Sequence, residues 1–61
     1  MMTRVGGIWV HEYVCKSTDT KFTNLTRPKL EIPNGSCCVE MDTCKFFLYD
    51  KETEDWLPIE L

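Results

Sequence analysis

Hydrophobic residues fall into short runs along the chain, and polar segments rich in turn-forming residues separate these runs. The first run, residues 8–15, is dominated by β-branched and aromatic side chains and follows Gly6-Gly7, which predicts a strand. Alternation assigns Glu12 and three aliphatic residues to one face of this strand. The bulkier and partly polar face holds Trp9, His11, Tyr13 and Cys15. A surface of that kind is expected to contact something beyond a thin core.

The C-terminal part of the chain predicts a β-meander. The segment Pro33-Asn34-Gly35-Ser36 predicts a tight turn, because Asn-Gly readily supplies positive φ angles. Strands are expected at 37–41, 46–49 and 56–59, with a turn at 42–45 and an acidic loop at 50–55. Pro58 cannot donate a hydrogen bond to a central ladder, so the last strand is expected at a sheet edge.

The intervening segment, 16–33, is polar and has no clear period, which predicts loop or edge chain with one short strand near 30–32. The fold class is therefore all-β. We expect a small antiparallel sheet or meander, with a C-terminal three-stranded meander plus an N-terminal strand, in a single domain over residues 1–61. Composition agrees: the chain has no alanine or glutamine and seven threonines, and threonine favours strands whereas alanine favours helices.

Size and charge narrow the function. A chain of 61 residues and 7.2 kDa buries only about 60 % of its unfolded surface, which argues against an enzyme with its own cofactor pocket. The net charge is −3, yet residues 1–39 carry +2 and residues 40–61 carry −5. No basic stripe suited to phosphates is present, so we expect no nucleic-acid partner. Unlike ends of two copies could also meet head to tail.

Targeting signals are not evident in the sequence. The N-terminal residues lack the apolar core of a signal peptide, and no run approaches the ~20 apolar residues that span a bilayer. We therefore expect a chain made in the cytoplasm, without a membrane partner. The sequons at Asn24 and Asn34 are discounted for the same reason.

The four cysteines, Cys15, Cys37, Cys38 and Cys44, leave three alternatives open. A reducing compartment favours free thiols that pack as small hydrophobic groups. A disulfide is the second alternative. Zinc bound by the thiols with His11 is the third, although the chain lacks paired Cys-x-x-Cys knuckles. Our expectation is free thiols, with no metal and no cofactor.

Catalytic chemistry finds little support in the sequence. His11 is the one histidine, and no spacing supplies a nucleophile together with an orienting group. The carboxylates of the 50–55 loop lack the ligand pattern and central glycine of an EF-hand. We therefore expect no enzyme activity. The aromatic residues are expected to form the core of the sheet, and those left exposed to form an interface.

Several segments of the chain form a recognisable pattern: Ser17-Thr18-Asp19-Thr20-Lys21, Ile32-Pro33-Asn34-Gly35-Ser36, Glu40-Met41-Asp42-Thr43, Lys45 to Asp50 and the closing Trp56. This pattern is similar to that of a group of short phage and prophage proteins found among virion structural components. It covers about residues 13–61. Cys44 stands where the pattern usually has glycine, and Phe22 stands where proline usually follows the lysine.

The resemblance implies a non-enzymatic capsid decoration or head-fibre component located in the virion, with no catalytic residues. Its expected partners are copies of itself, with a trimer favoured, and the major capsid or another virion protein. The interface candidates are Trp9, Tyr13, Phe47 and Trp56, since Trp and Tyr commonly anchor such contacts. The alternative is a small phage-encoded regulator that binds a cytosolic host protein and uses the acidic C-terminal part against a basic cleft.

Overall fold

The strands of the protein form one five-stranded sheet in a computed structural model that describes residues 1–60. They are β1 (Thr3–Gly6), β2 (Glu12–Cys15), β3 (Cys37–Glu40), β4 (Lys45–Asp50) and β5 (Asp55–Ile59). Their order across the sheet is the same as their order along the chain. The prediction of an all-β fold built on a small sheet is therefore confirmed.

Strands β3, β4 and β5 form the predicted antiparallel meander. Gly35 lies in the predicted turn with a φ of 85°, and Pro58 lies in β5 at the sheet edge, as expected. Each hairpin has a four-residue loop, 41–44 or 51–54. The last residue of each loop, Cys44 or Glu54, adopts a left-handed conformation with φ near 59° or 56°.

The N-terminal region differs from its prediction. Strand β2 begins at Glu12 and not at residue 8, because the chain bends sharply after β1. Gly7 has a φ of 104°, and a Cβ atom there would lie 1.9 Å from the carbonyl oxygen of Val10. Only glycine fits this bend. The unpredicted strand β1 then pairs antiparallel with β2, with an irregularity between Arg4 and Gly6.

Strands β2 and β3 run parallel, so the sheet is mixed and not wholly antiparallel as expected. A parallel pair needs a connection that returns across one face of the sheet. Residues 16–36, here called the crossover loop, make this connection. The short strand expected near 30–32 is wrong, because the chain forms a single 3₁₀ turn at Pro28–Leu30 instead. Proline suits the first turn of such a helix.

The crossover loop covers one face of the sheet, here called the covered face, and forms the hydrophobic core with it. Ile32 of the loop is fully buried, and Phe22 packs against the same cluster. The buried hydrophobic residues are Met2, Tyr13, Cys15, Ile32, Cys38, Tyr49 and Trp56. The rings of Tyr49 and Trp56 meet edge to face, with their centroids 4.9 Å apart, a geometry that aromatic pairs prefer.

Polar contacts also attach the crossover loop to the sheet. The indole Nε1 of Trp56 donates to the carbonyl oxygen of Phe22 at 2.7 Å. The Nζ atom of Lys21 lies 2.5 Å from a carboxylate oxygen of Glu40, and both side chains are largely buried. Asn24 contacts the backbone of Ile32 through both atoms of its amide. The loop is therefore held in place as a lid over the core.

Candidate functional site: the open face of the sheet

The second face of the sheet, here called the open face, consists largely of apolar side chains. Cross-strand register aligns Val14 with Val39, Phe46 and Ile59, and a second row aligns Cys37 with Leu48 and Leu57. Because side chains alternate between faces, these seven residues project away from the crossover loop. The open face is thus an apolar surface that spans four strands.

Exposure differs sharply between the two faces. Leu57 and Ile59 keep 45 % and 36 % of their surface exposed. The other five apolar residues of the open face are only half-buried, although they lie on the inner strands. On the covered face, Cys15 and Cys38 are fully buried. Within residues 1–60, no helix or second sheet lies over the open face. Contiguous apolar surface of this kind marks an interaction site in a small protein.

One end of the open face is acidic. The register places Glu12 in the row of Cys37, and the pair Asp50 and Asp55 continues the face beyond Leu48 and Leu57. The strand residues on this face include no lysine or arginine. A partner that covers the open face must therefore leave these carboxylates in water or supply a cation to them.

The bend between β1 and β2 presents a second apolar feature, the tip, formed by Ile8 and Trp9. These side chains are 89 % and 90 % exposed, the highest values among the large hydrophobic residues of the described chain. The guanidinium group of Arg4 donates to the carbonyl oxygens of Gly6 and Gly7, at 3.2 Å each. The tip is therefore an apolar projection, with the Arg4 guanidinium at its base and the Glu12 carboxylate close to Gly6.

The four interface candidates from the sequence separate in the structure. Tyr13 and Trp56 are only 4 % and 6 % exposed, so they belong to the core and are not surface anchors. Phe47 is half-buried against that core, and the ammonium group of Lys21 lies 4.3 Å from its ring centroid. Only Trp9 is free for contact. Aromatic identity alone did not reveal which face each ring occupies.

The residues of the open face were not singled out by sequence reasoning, although a signal for them exists. Strand β4 reads Phe46-Phe47-Leu48-Tyr49, an apolar run with no polar alternation. Such a run is typical of a strand buried on both faces. The crossover loop covers only one face, so the apolar pattern of β4 exceeds the cover that the described residues provide.

Two of the four thiols lie in the core, and the histidine lies against Tyr13. All four cysteines are free, and the Sγ atoms of Cys15 and Cys38 lie 3.2 Å apart in the core. Burial raises the pKa of the Cys38 thiol to about 12, which makes it unreactive. His11 contacts the hydroxyl of Tyr13 through Nδ1 at 2.8 Å. Burial, and then the charge of Arg4, lower the pKa of His11 below its ordinary value.

The described residues show neither a metal-binding cluster nor a membrane-spanning helix. The described residues include no cluster of three or more His, Cys, Asp or Glu side chains placed to hold a metal ion, and no helix among them has the length and apolarity to cross a membrane. Comparison of the chain with protein-family models, curated proteins and solved structures found no match.

Proposed function

We propose that this chain is a non-enzymatic structural component of a phage virion, of the capsid-decoration or head-fibre type. It acts by associating with copies of itself, as a trimer, and by docking on the major capsid or another virion protein. The observation that carries the proposal is the open face, with seven apolar side chains and no cover from the chain's own described residues. Homo-oligomer interfaces are more apolar than other protein surfaces.

The complete hydrogen bonding of the buried polar side chains supports an assembly role more than a catalytic one. The buried polar side chains of the described residues all have hydrogen-bond partners. Active sites commonly contain strained or poorly satisfied polar groups. The strong functional feature is instead an apolar surface on a rigid sheet. The similarity to short phage virion proteins, over about residues 13–61, supports the same proposal.

The alternative, a regulator that binds a host protein as a monomer, draws on the acidic end of the open face. Glu12, Asp50 and Asp55 could meet a basic cleft. Both functions use the same face, so the oligomeric state separates them. Closed point-group oligomers are the common outcome when identical chains associate.

Sedimentation equilibrium of the wild-type chain and of Leu57→Arg tests the proposal. Leu57 lies on the open face and is partly exposed, so arginine there should abolish association and preserve the fold. Leu25→Arg is the matched control, because Leu25 is 76 % exposed on the crossover loop. A wild-type monomer at high concentration contradicts self-association and favours the regulator.

The virion assignment needs its own test. Mass spectrometry of purified particles, from the phage or induced prophage that encodes the chain, should detect it as a stoichiometric component. Its absence from particles, with recovery in a cytosolic complex with a host protein, would support the alternative.

A further inference from the structure

We propose that the open face of one copy binds the Ile8–Trp9 tip of a second copy, in a head-to-tail contact that closes into a ring. This inference rests on the proposed self-association and names the two surfaces that meet. It assigns a role to the most exposed apolar side chains of the described molecule, which the fold itself leaves without a contact.

The tip suits insertion because it is held in shape before binding. Gly7 fixes the bend, and Arg4 holds the carbonyl oxygens of Gly6 and Gly7. Preorganised projections lose little conformational entropy when they bind. Tryptophan is also the residue most enriched among interface positions that dominate binding energy. A side chain that is 90 % exposed therefore has nearly its full surface to contribute.

The charges around the two surfaces complement each other. Arg4 lies at the base of the tip, whereas Asp50 and Asp55 lie at the end of the open face. A head-to-tail contact brings the cation of one copy to the carboxylates of the next. Two open faces stacked on each other offer no cation to the acidic end, since the strand residues of this face include no lysine or arginine. Complementarity of charge therefore favours tip on face over face on face.

The size of the contact explains why a ring is needed. A buried tryptophan contributes roughly 150–250 Å², whereas a stable interface buries about 800 Å² on each partner. One tip on one face is thus a small contact. In a ring, every copy uses both its tip and its open face, so each copy takes part in two contacts. A contact between unlike surfaces closes as a ring or continues as a filament, and closed point-group symmetry is the common outcome for soluble homo-oligomers.

Complementation between two variants tests this pairing. Trp9→Ala removes the tip and keeps the open face, while Leu57→Arg disables the face and keeps the tip. We expect each variant alone to be monomeric, with association weakened roughly tenfold or more. Mixed together at high protein concentration, they should form a 1:1 heterodimer, because each supplies the surface that the other lacks. This heterodimer has a single tip-on-face contact, so it should associate more weakly than the wild-type ring. Native mass spectrometry reads the stoichiometry, and Leu25→Ala serves as an exposed control.

Fluorescence gives an independent measurement of the same contact. Trp9 in Leu57→Arg should shift to shorter emission wavelength when Trp9→Ala is added, and should not shift with the double variant Trp9→Ala/Leu57→Arg. If Trp9→Ala assembles like the wild type while Leu57→Arg is monomeric, the tip is not the occupant and the proposed function still stands. If the wild type is itself monomeric, both proposals are overturned.

Discussion

Replacing Asn24 with alanine is expected to loosen the crossover loop from the covered face. The Nδ2 atom of Asn24 donates to the carbonyl oxygen of Ile32 at 3.1 Å, and the Ile32 N–H donates to Oδ1 at 2.7 Å. The backbone N–H of Asn24 donates to the hydroxyl of Tyr49 at 3.0 Å. Alanine keeps this last hydrogen bond but removes the first two, so the backbone of Ile32 loses both of its contacts with residue 24.

The expected loss in the free energy of unfolding follows from the burial of Ile32. This residue is fully buried, so its N–H and C=O groups lose their partners in a site with little water. Each unpartnered buried group costs about 1–3 kcal/mol, and partial access of water to the loop places the total near 2–4 kcal/mol. Natural domains have a stability of roughly 0.05–0.15 kcal/mol per residue. A chain of 61 residues would therefore lose a large fraction of its stability.

Urea denaturation, followed by the fluorescence of buried Trp56, measures this loss. Asn34→Ala is the matched control, because Asn34 is exposed and its Oδ1 accepts one hydrogen bond, from the N–H of Lys51 at 3.0 Å. Water replaces that bond, so we expect a change of about 0.5 kcal/mol or less. Equal losses in the two variants would refute the reasoning.

Three further predictions concern the thiols and the acid stability. Cys44→Gly should stabilise the chain by about 1 kcal/mol in urea, since a left-handed φ of 59° disfavours any side chain. In a thiol-reactivity assay, Cys44 should react fast, and buried Cys15 and Cys38 only on unfolding; early reaction of all four thiols would contradict this burial. The hydrogen bond from Lys21 lowers the pKa of Glu40 below its ordinary value of 4.5. The ionised Glu40 should therefore stabilise the folded chain fully above pH 4.5, and this stabilisation should be lost as the pH falls through the lower pKa of the folded state. Lys21→Met should flatten that part of the urea-midpoint profile against pH.

The sequence predicted the C-terminal meander well because local signals agree there. Asn34-Gly35 supplies the turn, and Pro58 permits only an edge position. The glycine of the phage-like pattern at position 44 also has a physical reason, since Cys44 occupies a left-handed position that glycine favours.

The N-terminal region was less predictable because long-range contacts decide it. Strand β1 is exposed along most of its length and is held by backbone pairing with β2, so no apolar pattern in the sequence predicts it. The parallel pairing of β2 and β3 depends on where residues 16–36 cross the sheet, and this segment has no periodicity. Tyr13 and Trp56 resembled surface anchors for the same reason: the crossover loop that buries them has no strand pattern of its own.

Within residues 1–60, one segment crosses the sheet, and it covers a single face. This segment is the crossover loop, and its contacts with Trp56, Glu40 and Tyr49 all lie on the covered face. Strand β4 is nevertheless apolar on both faces, as expected of a strand between two layers. Burying the second face therefore requires atoms other than those of residues 1–60. Under the proposed self-association, the exposed tip of a second copy supplies such atoms.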